Sequence, residues 1–166
     1  MMKVTSTGVE NGTIADRFGS KGEVFRNGMP SYSLPFEIHD APEGTVSFAV
    51  VFDDLDAVPV CGFTWIHWLI SDLKRTSVKE NESVTDGDMV QGVNSFHSCA
   101  SHLSQEDATG YGGPAPPNCR HEYDLKVFAL NKELSLKKGF RLNELMRAMD
   151  GHVIAHAKLS AYYSPR

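Results

Sequence analysis

The chain has 166 residues and a net charge of −5, with its 16 Lys and Arg scattered rather than grouped. A nucleic-acid groove needs a basic stripe and a membrane-surface site needs a polybasic cluster, so both classes are excluded. Hydrophobic residues at 41% and charged residues at 22% are an ordinary globular mixture, long enough to bury a core, and predict one domain over residues 1–166.

In chain order, residues 1–45 are rich in Gly, Pro, Ser and Asn, with short strands predicted at 24–25 and 32–38. Residues 45–52 are apolar on nearly every side chain, with Val46, Phe48, Val50 and Phe52 on one face. Such a run reads as a strand buried on both sides. It ends in Asp53-Asp54-Leu55-Asp56. Residues 63–71, rich in aromatic and β-branched side chains, predict the next strand, with His67 inside it. Residues 74–118 read as a long polar loop, and loops of that length inside a domain are usually functional. Residues 122–130 alternate, with Tyr123, Leu125 and Val127 opposite Asp124 and Lys126. Leu142, Leu145, Met146 and Met149 then follow helical spacing, predicting a helix that runs to about residue 155. Residues 158–163 read as a closing strand. Too few helices separate the strands for a parallel α/β fold, so the class is mainly β.

The N-terminus turns polar at once, without a secretory apolar region, and no apolar run approaches a membrane span. The expected compartment is cytoplasmic. Three cysteines, an odd count without CxxC spacing, are expected to be thiols.

The most informative stretch is Gly112-Gly113-Pro114-Ala115-Pro116-Pro117, followed by His121-Glu122-Tyr123. Proline stiffens a loop, glycine lets backbone approach closely, and residues two apart on a strand share a face. A rigid loop thus delivers an imidazole and a phenol together. Asp54 and Asp56, two apart at a strand end, are either paired carboxylates or a turn that terminates the strand. His67 is either a core histidine bonded to a carboxylate or, oriented by Asp54, part of an anion site. Cys119 and His121 make a poor nucleophile pair, since nothing lowers the thiol pKa. His97, Cys99 and His102 match no zinc spacing, and His152 and His156, predicted one helical turn apart, lack the Glu of a zincin. No metal site is expected. No Walker or dinucleotide motif occurs, so no cofactor is expected either.

Taken in order, four boxes resemble the phosphatidylethanolamine-binding protein family, and more closely its prokaryotic, Raf kinase inhibitor-like branch. They are Asp54-Leu55-Asp56-Ala57, Ile66-His67-Trp68, the Gly-Pro loop with His121-Glu122-Tyr123, and Gly151-His152-Val153-Ile154-Ala155. The resemblance covers residues 24–163. It implies a compact β-sandwich with a C-terminal helix, few other short helices, and a pocket formed by Asp54, His67, Gly113, Pro116, His121 and Tyr123, with Asp56 shaping its base. That pocket would take phosphate-like anions, such as a phospholipid head group or a phosphorylated side chain. It implies binding or inhibition of a kinase or protease without catalysis, and a homodimer. Leu55 stands where the family has proline, and Val58 precedes Pro59, which alters the loop beside the pocket.

The leading expectation is a non-enzymatic anion-binding protein. His67, His121, Tyr123 and backbone near Gly113 would donate hydrogen bonds, with tighter binding as pH falls from about 8 to 6. Two alternatives stand beside it. One is a hydrolase or lyase using Asp54, His67 and His121 as acid/base groups. The other is an interaction module acting through residues 74–118.

Overall fold

A computed structural model describes residues 1–85 and 87–166. Its strands are β1 (Lys3–Thr5), β2 (Val9–Glu10), β3 (Thr13–Ile14), β4 (Phe25–Arg26), β5 (Met29–Pro30), β6 (Phe36–His39), β7 (Ser47–Asp54), β8 (Trp65–Leu73), β9 (Ser77–Val78), β10 (Val90–Gln91), β11 (His97–Ser98), β12 (Ser101–His102), β13 (His121–Leu130) and β14 (Val153–Tyr163). The helices are α1 (Val58–Cys61), α2 (Glu82–Thr85) and α3 (Leu142–Met149), with a single 3-10 turn at Asp16–Phe18. The mainly β class holds.

One large sheet runs in the order β10-β8-β7-β13-β14-β3-β2, and β1, β6 and β9 form a smaller one. Strand β7 lies inside the sheet between β8 and β13 and is buried throughout, as its apolar run requires. Phe48, Val50 and Phe52 share a core with Trp68, Leu125 and Val127 and with Val4, Phe36 and Ile38 of the smaller sheet. This makes the sandwich. On the other face Ala49 and Val51 pack with Ile66, Leu69 and Phe140 and with Leu145 and Met149 of α3. Each large side chain buried this way contributes about 2 kcal/mol.

Three expectations are corrected. The helix does not reach residue 155. It ends at Met149, Gly151 takes a left-handed turn, and β14 then pairs with β13 from Leu130↔Val153 to His121↔Tyr163. His152 and His156 therefore never share a helical face. His152 sits in the turn beside Asn131, and His156 lies on an exposed strand position. Val46 is exposed and precedes β7. Residues 74–118 are no plain loop. They carry β9 to β12 and α2, and Gln91 ties them to the core by accepting from the Trp68 indole and the Ser83 hydroxyl, each at 2.7 Å. No described helix is long and apolar enough to cross a membrane.

Candidate functional site

His67 owes its position to an irregularity in the pairing of β7 with β8. Phe52 opposes Trp68 while Asp53 opposes Ile66, so His67 is the extra residue of a β-bulge. Strict alternation would turn His67 away from Trp68. Here its ring joins Trp68's face, 5.5 Å from Phe52 and 5.2 Å from Tyr123 between centroids.

The Gly-Pro loop fixes the imidazole. His67 Nδ1 donates to the Gly112 carbonyl at 2.6 Å, and the Gly112 N–H donates back to the His67 carbonyl at 2.8 Å. A Cβ on Gly112 would sit 2.8 Å from both Met29 and Phe96. One on Gly113 would overlap the Phe18 carbonyl oxygen. Both positions need glycine because of close approach. With Nδ1–H committed, the neutral ring leaves Nε2 as a bare acceptor. Burial drives His67 down to about 4, outweighing the Gly112 bond and the nearby Asp54 carboxylate that favour its charged form.

Strand β13 supplies the opposite wall. Its register sets Tyr123 beside Asp54. Asp54 orients His121, not His67: His121 Nδ1 donates to Asp54 Oδ2 at 2.8 Å. Asp54 Oδ1 accepts the Ala57 N–H at 3.1 Å. The Asn118 side-chain amide engages His121 Nε2 at 2.9 Å. Both imidazole nitrogens of His121 are thus already partnered. Burial, reinforced by Asp54, pushes the Tyr123 phenol far above the ordinary tyrosine range, so it stays a protonated donor. No acceptor meets that hydroxyl at hydrogen-bonding geometry.

These side chains surround one cavity of about 430 Å³. Asp54, His67, Pro116, His121 and Tyr123 line it, with Trp65 and Phe96 as an aromatic wall. The four polar residues are only 1–3% exposed, and two of their atoms, His67 Nε2 and Tyr123 Oη, are buried without a partner. Buried polar atoms left unpaired are uncommon, and both belong to residues that line this one cavity.

Two expected pocket residues do not line the cavity. Gly113 is a packing residue whose N–H donates to the Pro30 carbonyl, so backbone there offers the pocket no donor. Asp56 is exposed and accepts the Glu122 N–H at 2.9 Å, bracing the start of β13 from outside. Cys119 is exposed, and no thiol–imidazole pair forms with His121, whose nitrogens are occupied. His97 and His102 pair across the β11–β12 hairpin, and no metal-binding group of His, Cys, Asp or Glu occurs among the described residues. That hairpin matters otherwise: Phe96, Ala100 and Ser101 form part of the cavity wall. Sequence reasoning missed these residues, Trp65, Cys61 and Asn118. Only Asn118, inside the rigid loop, carried a local signal.

The sequence pattern of the phosphatidylethanolamine-binding proteins matches residues 4–164. The YxkA protein of Bacillus subtilis is 39% identical over 142 residues, spanning 81% of this chain and 82% of that one. A UPF0098 protein of Methanothermobacter thermautotrophicus is 30% identical over 159 residues, spanning 93% and 92%. The solved structure of a phosphatidylethanolamine-binding protein homologue from Chlamydia trachomatis superposes with a TM-score of 0.80 at 28% identity, over 99% of this chain and 98% of that chain. Escherichia coli YbcL shares the fold, with a TM-score of 0.79 at 24% identity over 99% of each chain.

Proposed function

The chain belongs to the phosphatidylethanolamine-binding protein family, and from that membership and its cavity we propose that it is a non-enzymatic binding protein for small phosphate-like anions. The observation that carries the reading is one preformed hollow lined by Asp54, His67, His121 and Tyr123, four nearly buried polar side chains, two of which, His67 and Tyr123, each hold a buried atom without a partner. Polar side chains set beside an aromatic wall suit a small group rich in oxygens. A phospholipid head group, whose phosphate is a diester, and a phosphorylated side chain, whose phosphate is a monoester, are the two ligand classes the reading admits.

The hydrolase or lyase reading asks Asp54, His67 and His121 to move protons. His121 has both nitrogens bonded, and Asp54 spends both oxygens on His121 and Ala57. Only His67 has a free nitrogen among these three. The arrangement therefore supports holding a ligand better than transforming it.

Calorimetry with inorganic phosphate and O-phosphoserine at pH 6 tests the proposal. Saturable binding that weakens in Tyr123→Phe supports it. No binding to either ligand overturns it, and phosphate release from a phosphomonoester panel, lost in His67→Ala, overturns the non-enzymatic part.

A further inference from the structure

We propose that the open flank of β14 is a docking edge for a second copy of this chain, whose own β14 lies antiparallel along residues 155–161 and joins two large sheets into one.

For most of its length β14 is paired on one side only. Its register with β13 runs from Leu130↔Val153 to His121↔Tyr163. On the other side it meets β3 at Tyr162↔Thr13, where the Tyr162 N–H donates to the Gly12 carbonyl at 2.8 Å. The Tyr162 backbone groups thus point away from β13, and by the two-residue repeat so do those of Ser160, Lys158 and His156. No described backbone group pairs with these three on that side.

Burial records the same gap. Ala155, Ala157 and Leu159 face the core yet are only partly buried. Ala161 and Tyr163 lie further along the same face, where β3 flanks the strand, and are 3% and 0% exposed. At the open end Val153 and Ile154 are 41% and 40% exposed. Unpaired backbone beside half-covered apolar side chains is a template for adding a strand.

The side chains favour a copy of β14 as that strand. Residues 153–163 carry no carboxylate, and their single lysine, Lys158, is held by Asp124 of β13 at 3.1 Å. The edge therefore asks for an apolar, nearly uncharged partner strand, which β14 itself is. Pairing with β13 steps from Ala129↔Ala155 to Leu130↔Val153, so Ile154 is a bulge and the regular edge starts at Ala155. Three two-fold registers use most of that edge, centred on His156, Ala157 or Lys158. Centring on Lys158 sets an ammonium against its own copy, and like charges directly opposite destabilise a sheet. Centring on His156 sets imidazole against imidazole and carries the pairing into the bulge. Centring on Ala157 avoids both. It places a small side chain opposite a large one, Ala155 against Leu159 of the second copy, with Ala157 meeting itself at the axis. The bulge at one end and β3 at the other bound the contact, and each copy uses its edge once. Such an isologous pairing closes at two copies.

Sedimentation equilibrium of the full chain over about a hundredfold range of concentration tests the inference, because a dimer this size is concentration-dependent. Cross-linking is read beside it, in a background of Cys61→Ser, Cys99→Ser and Cys119→Ser. Expected is a reversible monomer–dimer equilibrium. Added to that background, Ala157→Cys should form a covalent dimer on mild oxidation, since non-hydrogen-bonded opposite residues lie about 4.5 Å apart at Cα, within disulfide reach. Ala155→Cys, away from the axis, should not. His156→Pro lacks only an N–H that points away from β13, so it should weaken the dimer about tenfold or more. A chain that stays monomeric at every concentration, with no link at residue 157, overturns the inference and leaves the edge to a strand of another protein. A dimer that His156→Pro does not weaken and Ala157→Cys does not trap uses another surface, and overturns it too. Either failure leaves phosphate binding at the cavity untouched.

Discussion

His67 and Gly112, 45 residues apart, hold each other through two bonds: imidazole Nδ1–H to the Gly112 carbonyl at 2.6 Å, and Gly112 N–H to the His67 carbonyl at 2.8 Å. This clamp joins the β-bulge to the Gly-Pro loop. It also determines which histidine nitrogen is left without a partner.

The burial of His67 makes stability depend on pH. Burial places His67 at about 4 in the folded chain, below the value of about 6.5 it has when unfolded. The unfolded state therefore binds the proton more readily. The stabilising contribution is complete above pH 6.5 and is lost as pH falls toward 4, amounting to about 3 kcal/mol. Urea unfolding at pH 7, 5.5 and 4.5 should show this decline, and His67→Asn should show a shallower one. Equal slopes would contradict the assignment.

Tyr123 should separate stability from binding. Its hydroxyl is buried without a partner, so Tyr123→Phe removes a desolvation cost. The variant is expected to be as stable as the parent or more so by about 1 kcal/mol. Its affinity for phosphate should fall about tenfold, because the ligand loses a hydrogen bond worth about 1.4 kcal/mol. Thermal melts and calorimetry on the same preparation read both effects.

Gly113→Ala should behave in the opposite way. The added Cβ overlaps the Phe18 carbonyl oxygen, with Pro30 and Gly19 close behind, and backbone cannot swing aside as a flexible side chain can. A loss of about 3 kcal/mol is expected from overpacking. A midpoint of denaturation unchanged from the parent would refute it.

The two aspartates of the Asp54-Leu55-Asp56 turn should differ sharply. Asp54→Ala strands His121 in a buried site and removes the bond to the Ala57 N–H, which should cost about 3–5 kcal/mol. Asp56→Ala removes one exposed bond to the Glu122 N–H, costing about 1 kcal/mol and leaving phosphate affinity nearly unchanged. Denaturant titrations of both, with calorimetry on the second, decide whether Asp56 belongs to the pocket.

Much of this fold could be read from local pattern. The continuous apolar run of β7 and the alternation of Tyr123, Leu125 and Val127 against Asp124 and Lys126 announce strands, because side-chain burial follows the two-residue repeat of an extended backbone. Helical spacing located α3, but not its end. Met149, Val153 and Ile154 continue an apolar pattern that either a helix or a strand accepts. Pairing with β13 decides for the strand, and that choice is made by a neighbour in space.

For the site, the sequence by itself determined the ingredients: a stiff loop, His67, Asp54, and His121 with Tyr123 two apart. Which of them meet was decided by tertiary structure alone. His121 finds Asp54 across 67 residues, and His67 joins the cavity wall through a bulge in β8 where it pairs with β7. Residue types carry their chemistry along the chain, but a hydrogen bond depends on distance and direction between strands. Those are known only once the sheet has closed.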